Sequence, residues 1–223
     1  MSSLEKNTPK TKTNESKMKP KVLVTRYLFK EEMDSLKEAL SDHEIIINMK
    51  DEPLSRTELK EQIQDVVGVL STLRHFFDEE ILSHAKNLKV ISNYAVGFNN
   101  IDIEFAKKRG IIVTNTPDVL TDATADLTIG LILAITRRIV EADKFLRDGK
   151  WNGWRPTLLL GTDLNGKTLG IIGLGRIGKA VALRAKAFGM NLIYHSRSRK
   201  LELEDKIGIK YKELNELFIK YPI

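Results

Sequence analysis

A glycine-rich run in the second half of the chain has the spacing of a phosphate-binding turn. Residues 173–178 read Gly-Leu-Gly-Arg-Ile-Gly, directly after a predicted strand and at the start of a predicted helix. In that context the first glycine permits a tight turn, the second lets a pyrophosphate approach the backbone, and the third lets helix and strand pack closely. The alternative is an ordinary glycine-rich turn with no ligand. The candidate cofactor-binding residues are Gly173, Leu174, Gly175, Arg176, Ile177 and Gly178.

The end of the next predicted strand indicates which dinucleotide would bind. A chain that uses NAD carries an Asp or Glu about 20 residues after the glycines, where its carboxylate binds the ribose 2′-hydroxyl. This chain has Ser196 there, followed by Arg197, Ser198 and Arg199. Serines and arginines can bind a 2′-phosphate that a carboxylate would repel. Ser196, Arg197 and Ser198 therefore predict NADP(H) as the preferred cofactor, with NAD(H) as a second option and a solvated basic loop as the alternative.

The elements that would position these residues alternate between strand and helix. Over residues 21–114, five short apolar runs alternate with helical patterns, which predicts a parallel sheet covered on both faces. After Pro117, one continuous helix is predicted from about Asp122 to Gly149, apolar nearly all round in its first half. A second α/β unit begins near Gly166, with strands predicted at residues 167–172 and 191–195 and helices at 177–188 and 212–220.

Composition excludes several classes of protein. The chain has 223 residues, 42% of them hydrophobic and 30% charged, which is typical of a globular protein of one or two domains. Of its net charge of +6, only +3 lies in a lysine-rich tail, residues 1–20, that we expect to be disordered. The rest is spread over helix faces of mixed sign, and this lack of one basic face disfavours nucleic-acid binding. There is no cysteine and no apolar run of membrane-spanning length, and the N-terminus lacks a signal-peptide pattern. We therefore expect a cytoplasmic protein that binds neither membranes nor metals.

Several motifs in order resemble one enzyme family, over about residues 21–220. Residues 93–102 (Asn-Tyr-Ala-Val-Gly-Phe-Asn-Asn-Ile-Asp) resemble the substrate-carboxylate loop of D-2-hydroxyacid dehydrogenases, and residues 121–126 the start of their long interdomain helix. Residues 151–154 and 161–178 resemble the segment that leads into their cofactor domain. The Ser-Arg-Ser-Arg sequence is similar to that of the glyoxylate and hydroxypyruvate reductase branch.

The resemblance implies an α/β fold with a flavodoxin-like substrate domain at residues 21–118. An incomplete Rossmann dinucleotide-binding domain would follow at residues 119–223, with a cleft between the two. It also implies a homodimer formed through the nucleotide-binding domain. The substrate would be a small 2-keto or 2-hydroxy acid.

The resemblance further implies roles for individual residues. The backbone N–H groups of Val96 and Gly97 would bind the substrate carboxylate, as adjacent donors in a glycine turn can do. Leu73 and Arg74 would line the substrate pocket, and Thr124 would reach the nicotinamide side of the cleft. The alternatives are a structural turn at Val96 and Gly97 and a plain helix start at Thr124.

Reduction of a 2-keto acid also needs a proton donor. In the family the donor is a His supported by a Glu, with an Arg that binds the keto acid, and the matching motifs would lie beyond residue 223. We therefore expect no catalytic residue in this chain and no turnover by it alone. Of its four histidines only His75 lies in a predicted loop near the cleft, where a surface histidine is the simpler interpretation. The alternatives are a relative of phosphoglycerate dehydrogenase, which would want an acid at Ser196, and a non-catalytic fragment that binds a dinucleotide or dimerises.

Overall fold

The computed structural model of the chain describes residues 18–220, except the side chains of the last two. Residues 1–17 of the predicted disordered tail therefore lie outside the described residues. Two compact units meet at the Pro117–Asp118 peptide bond, next to the boundary expected after residue 118. Each unit is described below by itself.

The first unit is built on a five-stranded parallel sheet. Its strand order is β2-β1-β3-β4-β5, which is the order of the flavodoxin-like doubly wound fold. The flavodoxin-like prediction is confirmed. The strands are β1 (Lys21–Val24), β2 (Glu44–Ile47), β3 (Val66–Ser71), β4 (Val90–Asn93) and β5 (Ile112–Thr114).

Four helices connect these strands, and three of them begin at side-chain caps. Ser55 accepts a hydrogen bond from the Glu58 backbone N–H, while the Glu58 carboxylate accepts one from the Ser55 N–H, so the two residues form a capping box. Asp78 and Asp102 each accept from the N–H three residues later. These caps fix where each helix leaves its preceding loop. The helices are α1 (Lys30–Ala39), α2 (Arg56–Gln62), α3 (Glu79–His84) and α4 (Ile103–Lys108).

The second unit contains a three-stranded parallel sheet of order β6-β7-β8, which matches one βαβαβ half of a Rossmann sheet. A single apolar core joins helices α5 and α7 to this sheet. Helix α8 and strand β8 were not predicted from the sequence. The elements are α5 (Thr121–Thr136), α6 (Ile139–Arg147), β6 (Thr168–Ile172), α7 (Arg176–Ala187), β7 (Asn191–His195), α8 (Leu201–Ile207), β8 (Lys210–Tyr211) and α9 (Leu214–Lys220).

The continuous helix predicted from Asp122 to Gly149 is wrong, because the chain breaks it at Arg137 and Arg138. Arg138 adopts a left-handed backbone conformation with φ 55°, which usually ends a helix and usually belongs to glycine. The carbonyl oxygen of Thr136 accepts a hydrogen bond of 2.7 Å from the N–H of Thr162. A segment distant in sequence therefore provides the hydrogen-bond donor for a carbonyl at the end of α5. The residues next to the break contain no signal that predicts it.

Gly161 makes this break possible, and its replacement by alanine should destabilise the second unit. A Cβ at Gly161 would lie 2.5 Å from the Thr136 carbonyl oxygen and 2.9 Å from the Arg137 Cα, so the backbone would have to shift. We expect Gly161→Ala to cost about 1–3 kcal/mol of unfolding free energy in urea or thermal denaturation. Gly130→Ala is the matched control, since a Cβ there would meet nothing within 4 Å. Inside α5 that substitution should instead stabilise by about 0.5–1 kcal/mol. Equal effects of the two substitutions would contradict this account of the break.

Candidate functional site

The glycine loop has the geometry of a phosphate-binding turn. Gly173 follows β6 with φ 95°, a conformation that favours glycine, and its N–H donates to the His195 carbonyl oxygen over 2.7 Å. A Cβ at Gly178 would overlap the Gly173 carbonyl oxygen, so α7 can approach the turn only with glycine there. A Cβ at Gly175 would meet nothing within 4 Å, which leaves open space above that residue. Backbone conformation therefore favours glycine at Gly173 and close packing requires it at Gly178, whereas at Gly175 its effect is to leave space.

The first turn of α7 faces that open space. Gly175 is its N-cap, and no side chain caps the helix. The side chain of Leu174 is buried in the core, whereas Arg176 is exposed and forms a 2.8 Å ion pair with Asp118. The first turn carries no acidic residue that would repel an anion. Free N–H groups at a helix start, without a competing carboxylate, suit a phosphate.

A cavity of about 340 Å³ connects this turn with the end of β7. The Ser196 hydroxyl donates to the Ser198 carbonyl oxygen over 2.6 Å and fixes the curvature of the loop between them. The guanidinium of Arg197 is exposed and has no partner within residues 18–220. The cavity wall consists of Ile172, Gly173, Leu174, Gly175, His195, Ser196, Arg197, Ser198 and Lys200.

Arg199 does not line this cavity, although the sequence suggested it as a phosphate partner. Its Nε and Nη2 donate to the two carboxylate oxygens of Glu204 over 2.9 and 2.8 Å. Its guanidinium also lies 5.6 Å from the centre of the Tyr211 ring. Glu204 belongs to α8, which the sequence pattern did not predict, so this competing partner was missed. Lys200, which does line the cavity, was missed as well.

In the first unit, the loop after β4 presents the proposed carboxylate-binding groups. The Val96 carbonyl oxygen accepts from Asn115 Nδ2 over 2.8 Å, and the Gly97 carbonyl oxygen accepts from Asn93 Nδ2 over 2.9 Å. The N–H groups of Val96 and Gly97 have no hydrogen-bond partner in the described part of the chain. Fixed carbonyls and free N–H groups leave two donors available to an anion.

A buried pair of amides joins this loop to the loop after β3. Asn93 Nδ2 donates to Asn100 Oδ1 over 3.2 Å, and Asn100 Nδ2 donates to the His75 carbonyl oxygen over 3.0 Å. The exposed Leu73 and Arg74 lie on the loop that Asn100 holds. The structure thus brings the loop of Leu73 and Arg74 together with that of Val96 and Gly97, at the carboxyl edge of the sheet. Sequence reasoning included both asparagines in a motif but gave neither this role.

The interpretation of His75 as a surface histidine is wrong, because its side chain is only 2% exposed. Its Nε2 accepts a 3.0 Å hydrogen bond from the Leu54 backbone N–H, so that nitrogen carries no proton. Burial lowers the pKa of His75, and the nearby charges of Arg74 and Arg26 lower it further. A neutral imidazole that supports a backbone N–H is structural, and it is poorly placed to donate a proton to a substrate.

Thr124 lies in the first turn of α5 and is half-buried, with its carbonyl oxygen accepting from the Thr128 hydroxyl. No contact with a cofactor-binding residue supports or opposes its proposed role. Within residues 18–220, no group of three acidic or histidine side chains could hold a metal ion. No helix of that stretch is both long and apolar enough to cross a membrane.

Comparisons with known proteins agree with this geometry. The family model described as "D-isomer specific 2-hydroxyacid dehydrogenase, catalytic domain" matches residues 22–208. A glyoxylate reductase of Thermococcus litoralis is 50% identical over 204 residues, which cover 90% of this chain and 61% of that protein. A glyoxylate reductase of Pyrococcus furiosus is 44% identical, with coverage of 90% and 60%. This chain therefore spans about three-fifths of the length of these relatives.

Two solved structures extend the likeness to the fold. The TT0316 protein of Thermus thermophilus superposes with a TM-score of 0.77 at 45% identity, covering 89% of this chain and 61% of that one. The D-lactate dehydrogenase of Aquifex aeolicus, solved with NAD and lactic acid, superposes with a TM-score of 0.75 at 28% identity, covering 89% and 57%. Together with the strand orders and the glycine turn, the match over residues 22–208 shows that this chain belongs to the D-isomer specific 2-hydroxyacid dehydrogenase family.

Proposed function

We propose that this chain supplies the carboxylate loop and the adenosine half of the cofactor site of an NADP-preferring reductase. Its reaction would convert glyoxylate or hydroxypyruvate to the D-2-hydroxy acid in the cytoplasm. The observation that carries the proposal is the wall of the cavity at the end of β7, which contains Arg197 and Lys200 and no carboxylate. The names of the Thermococcus and Pyrococcus relatives support a glyoxylate reductase.

The residues present fit a dinucleotide phosphate. The space above Gly175 admits a pyrophosphate, and the uncapped first turn of α7 offers it N–H donors. Bound NADPH supplies the hydride for reduction. Ser196, Ser198 and Arg197 would hold the 2′-phosphate through charge-assisted hydrogen bonds. The absence of an acid at Ser196 disfavours the phosphoglycerate dehydrogenase alternative, which would use NAD.

The carboxylate loop would orient the keto acid. The free N–H groups of Val96 and Gly97 would bind the substrate carboxylate, leaving the keto carbon to accept hydride and the keto oxygen to accept a proton. Leu73 and Arg74 would shape the pocket from the adjacent loop, and Thr124 would contribute at the nicotinamide side. The proton donor, its glutamate and the substrate arginine would come from outside the described residues, as the family resemblance implies.

A homodimer formed through the second unit completes the proposal. Helices α5 and α6 expose large apolar side chains, and Trp154 beyond them is 78% exposed. An apolar surface of this kind favours a partner subunit. The exposed residues are Leu127, Leu131, Ile135, Ile139, Val140, Leu146, Trp151 and Trp154.

Turnover should require a segment that this chain does not provide. We expect the 223-residue chain alone to show no glyoxylate-dependent oxidation of NADPH above background. A chimera of residues 1–220 with the part of the Thermococcus litoralis relative outside the match should reduce glyoxylate or hydroxypyruvate. The added segment would supply the proton donor. Activity is measured as the decrease in NADPH absorbance.

Three outcomes would contradict this proposal. Turnover by the chain alone would place the proton donor among its own residues. A folded chimera that binds NADPH and reduces neither keto acid would rule out the proposed substrates. Oxidation of 3-phosphoglycerate with NAD⁺ would favour the phosphoglycerate dehydrogenase alternative.

A further inference from the structure

Three cations follow one another closely at the end of β7, but they do not have equal access to the cavity there. Arg197 and Lys200 line it, and Arg199 does not. The Nζ of Lys200 donates to the Ser198 hydroxyl over 3.1 Å, so its ammonium lies beside a residue of the proposed phosphate site. The sequence offers no ground for choosing between Arg199 and Lys200. The difference is one of side-chain contacts.

Glu204 pairs with Arg199 and neutralises its charge. Both of its carboxylate oxygens accept from the Arg199 guanidinium, and the Glu204 side chain is only 14% exposed. Hydrogen bonds from Arg199 and then from Tyr194 hold the pKa of Glu204 below its ordinary value, so the carboxylate remains ionised at neutral pH. The pair contributes no net charge. The charged residues of this loop that line the cavity are Arg197 and Lys200, and neither is paired with a carboxylate in the described part of the chain.

Tyr194 fixes the backbone from which Lys200 extends. Its ring is fully buried and packs edge-on against Tyr211, with 5.5 Å between the ring centres. Its hydroxyl donates to Glu204 Oε1 over 2.8 Å and accepts from the Lys200 backbone N–H over 2.7 Å. The Tyr194 hydroxyl therefore connects the Arg199–Glu204 ion pair to the backbone N–H of Lys200. The loop has a defined shape before any ligand binds.

We propose that Lys200 is a second cation for the cofactor 2′-phosphate, acting with Arg197, and that Arg199 is neutralised by Glu204 and does not bind it. This inference rests on the proposed NADP preference and assigns its charges to particular residues. Lysine acts as a point charge toward a phosphate and needs no bidentate geometry. The proposed site thus contains Ser196, Arg197, Ser198 and Lys200.

Calorimetric titration with two nucleotides tests this assignment. Adenosine 2′,5′-bisphosphate and adenosine 5′-monophosphate differ only in the 2′-phosphate, and both need only the adenosine half of the site, which lies in this chain. We expect the unmodified chain to bind the bisphosphate more tightly. Lys200→Gln should reduce that preference about tenfold, as expected for one charge-assisted contact, and leave the affinity for the monophosphate unchanged. Lys200→Arg should restore most of the preference.

The double variant Arg199→Gln with Glu204→Gln is the matched control. It removes one positive and one negative charge, so the net charge is unchanged. We expect its preference for the bisphosphate to stay within about twofold of the unmodified chain, with a lower melting temperature because the hydrogen bonds that Arg199 and Tyr194 donate to Glu204 are lost or weakened. A loss of preference in the double variant, or none in Lys200→Gln, would overturn the assignment. Equal binding of both nucleotides by the unmodified chain would instead reject the NADP preference, and with it the role of Lys200.

Discussion

Replacing Ser196 by aspartate together with Arg197 by alanine should reverse the cofactor preference from NADPH to NADH. The introduced carboxylate would repel the 2′-phosphate and could accept hydrogen bonds from a free ribose 2′-hydroxyl. Loss of the Arg197 guanidinium removes a cation that has no other partner in the described residues. Each change should shift the ratio of the two dissociation constants about tenfold or more, since hydrogen bonds to charged groups contribute about 1.5–3 kcal/mol. Together they should shift it about a hundredfold.

The measurement is equilibrium binding of NADPH and NADH, followed by nucleotide fluorescence, in the chimera. The single variants Ser196→Asp and Arg197→Ala separate repulsion from lost attraction, and each should reduce the preference without reversing it. Higher salt should reduce the difference in affinity between NADPH and NADH in the unmodified protein, because the proposed interaction with the 2′-phosphate is ionic. A double variant that still prefers NADPH would show that this cavity does not bind the adenosine ribose.

Replacing Gly97 by proline should raise the KM for the keto acid about tenfold or more while leaving NADPH affinity unchanged. Proline removes the Gly97 N–H, which has no protein partner within residues 18–220 and is a proposed ligand of the substrate carboxylate. Loss of one hydrogen bond to a carboxylate corresponds to about 1.5–3 kcal/mol of binding. The cofactor-binding loop lies in the other unit, so the substitution at Gly97 should not change the affinity for NADPH.

Gly97→Ala is the control, because it keeps the N–H group. A Cβ at Gly97 would meet only Asn99 Oδ1, at 3.5 Å, which is an ordinary contact. The alanine variant should therefore keep a KM close to that of the unmodified chimera. Proline also restricts Val96 before it, so the melting temperature must be compared for all three proteins. An unchanged KM in a proline variant that is still folded would show that this loop does not bind the substrate.

Several features of this chain follow from local sequence alone. The capping box at Ser55 and the aspartate caps at Asp78 and Asp102 depend on local sequence, because each needs only residues within one helical turn. The glycine turn after β6 also forms as its spacing predicts, since positive φ and close packing exclude most other residues. The alternation of strands and helices was sufficient for a parallel α/β fold, because apolar periodicity reports which residues must be covered.

The tertiary structure decided what depends on contacts between distant residues. The break after Thr136 depends on Thr162 and Gly161, and no glycine or proline marks it locally. His75 is buried, and its imidazole accepts from the Leu54 N–H, a partner 21 residues away in the sequence.

The same physical reason separates the cations of the cofactor loop. From the sequence, Arg197, Arg199 and Lys200 are equivalent positive charges a few residues apart. In the folded chain Glu204 compensates Arg199, while Arg197 and Lys200 remain at the cavity. The types and spacing of residues predict a phosphate site after β7. The cations that would bind it were decided by which carboxylate the fold placed within hydrogen-bonding distance.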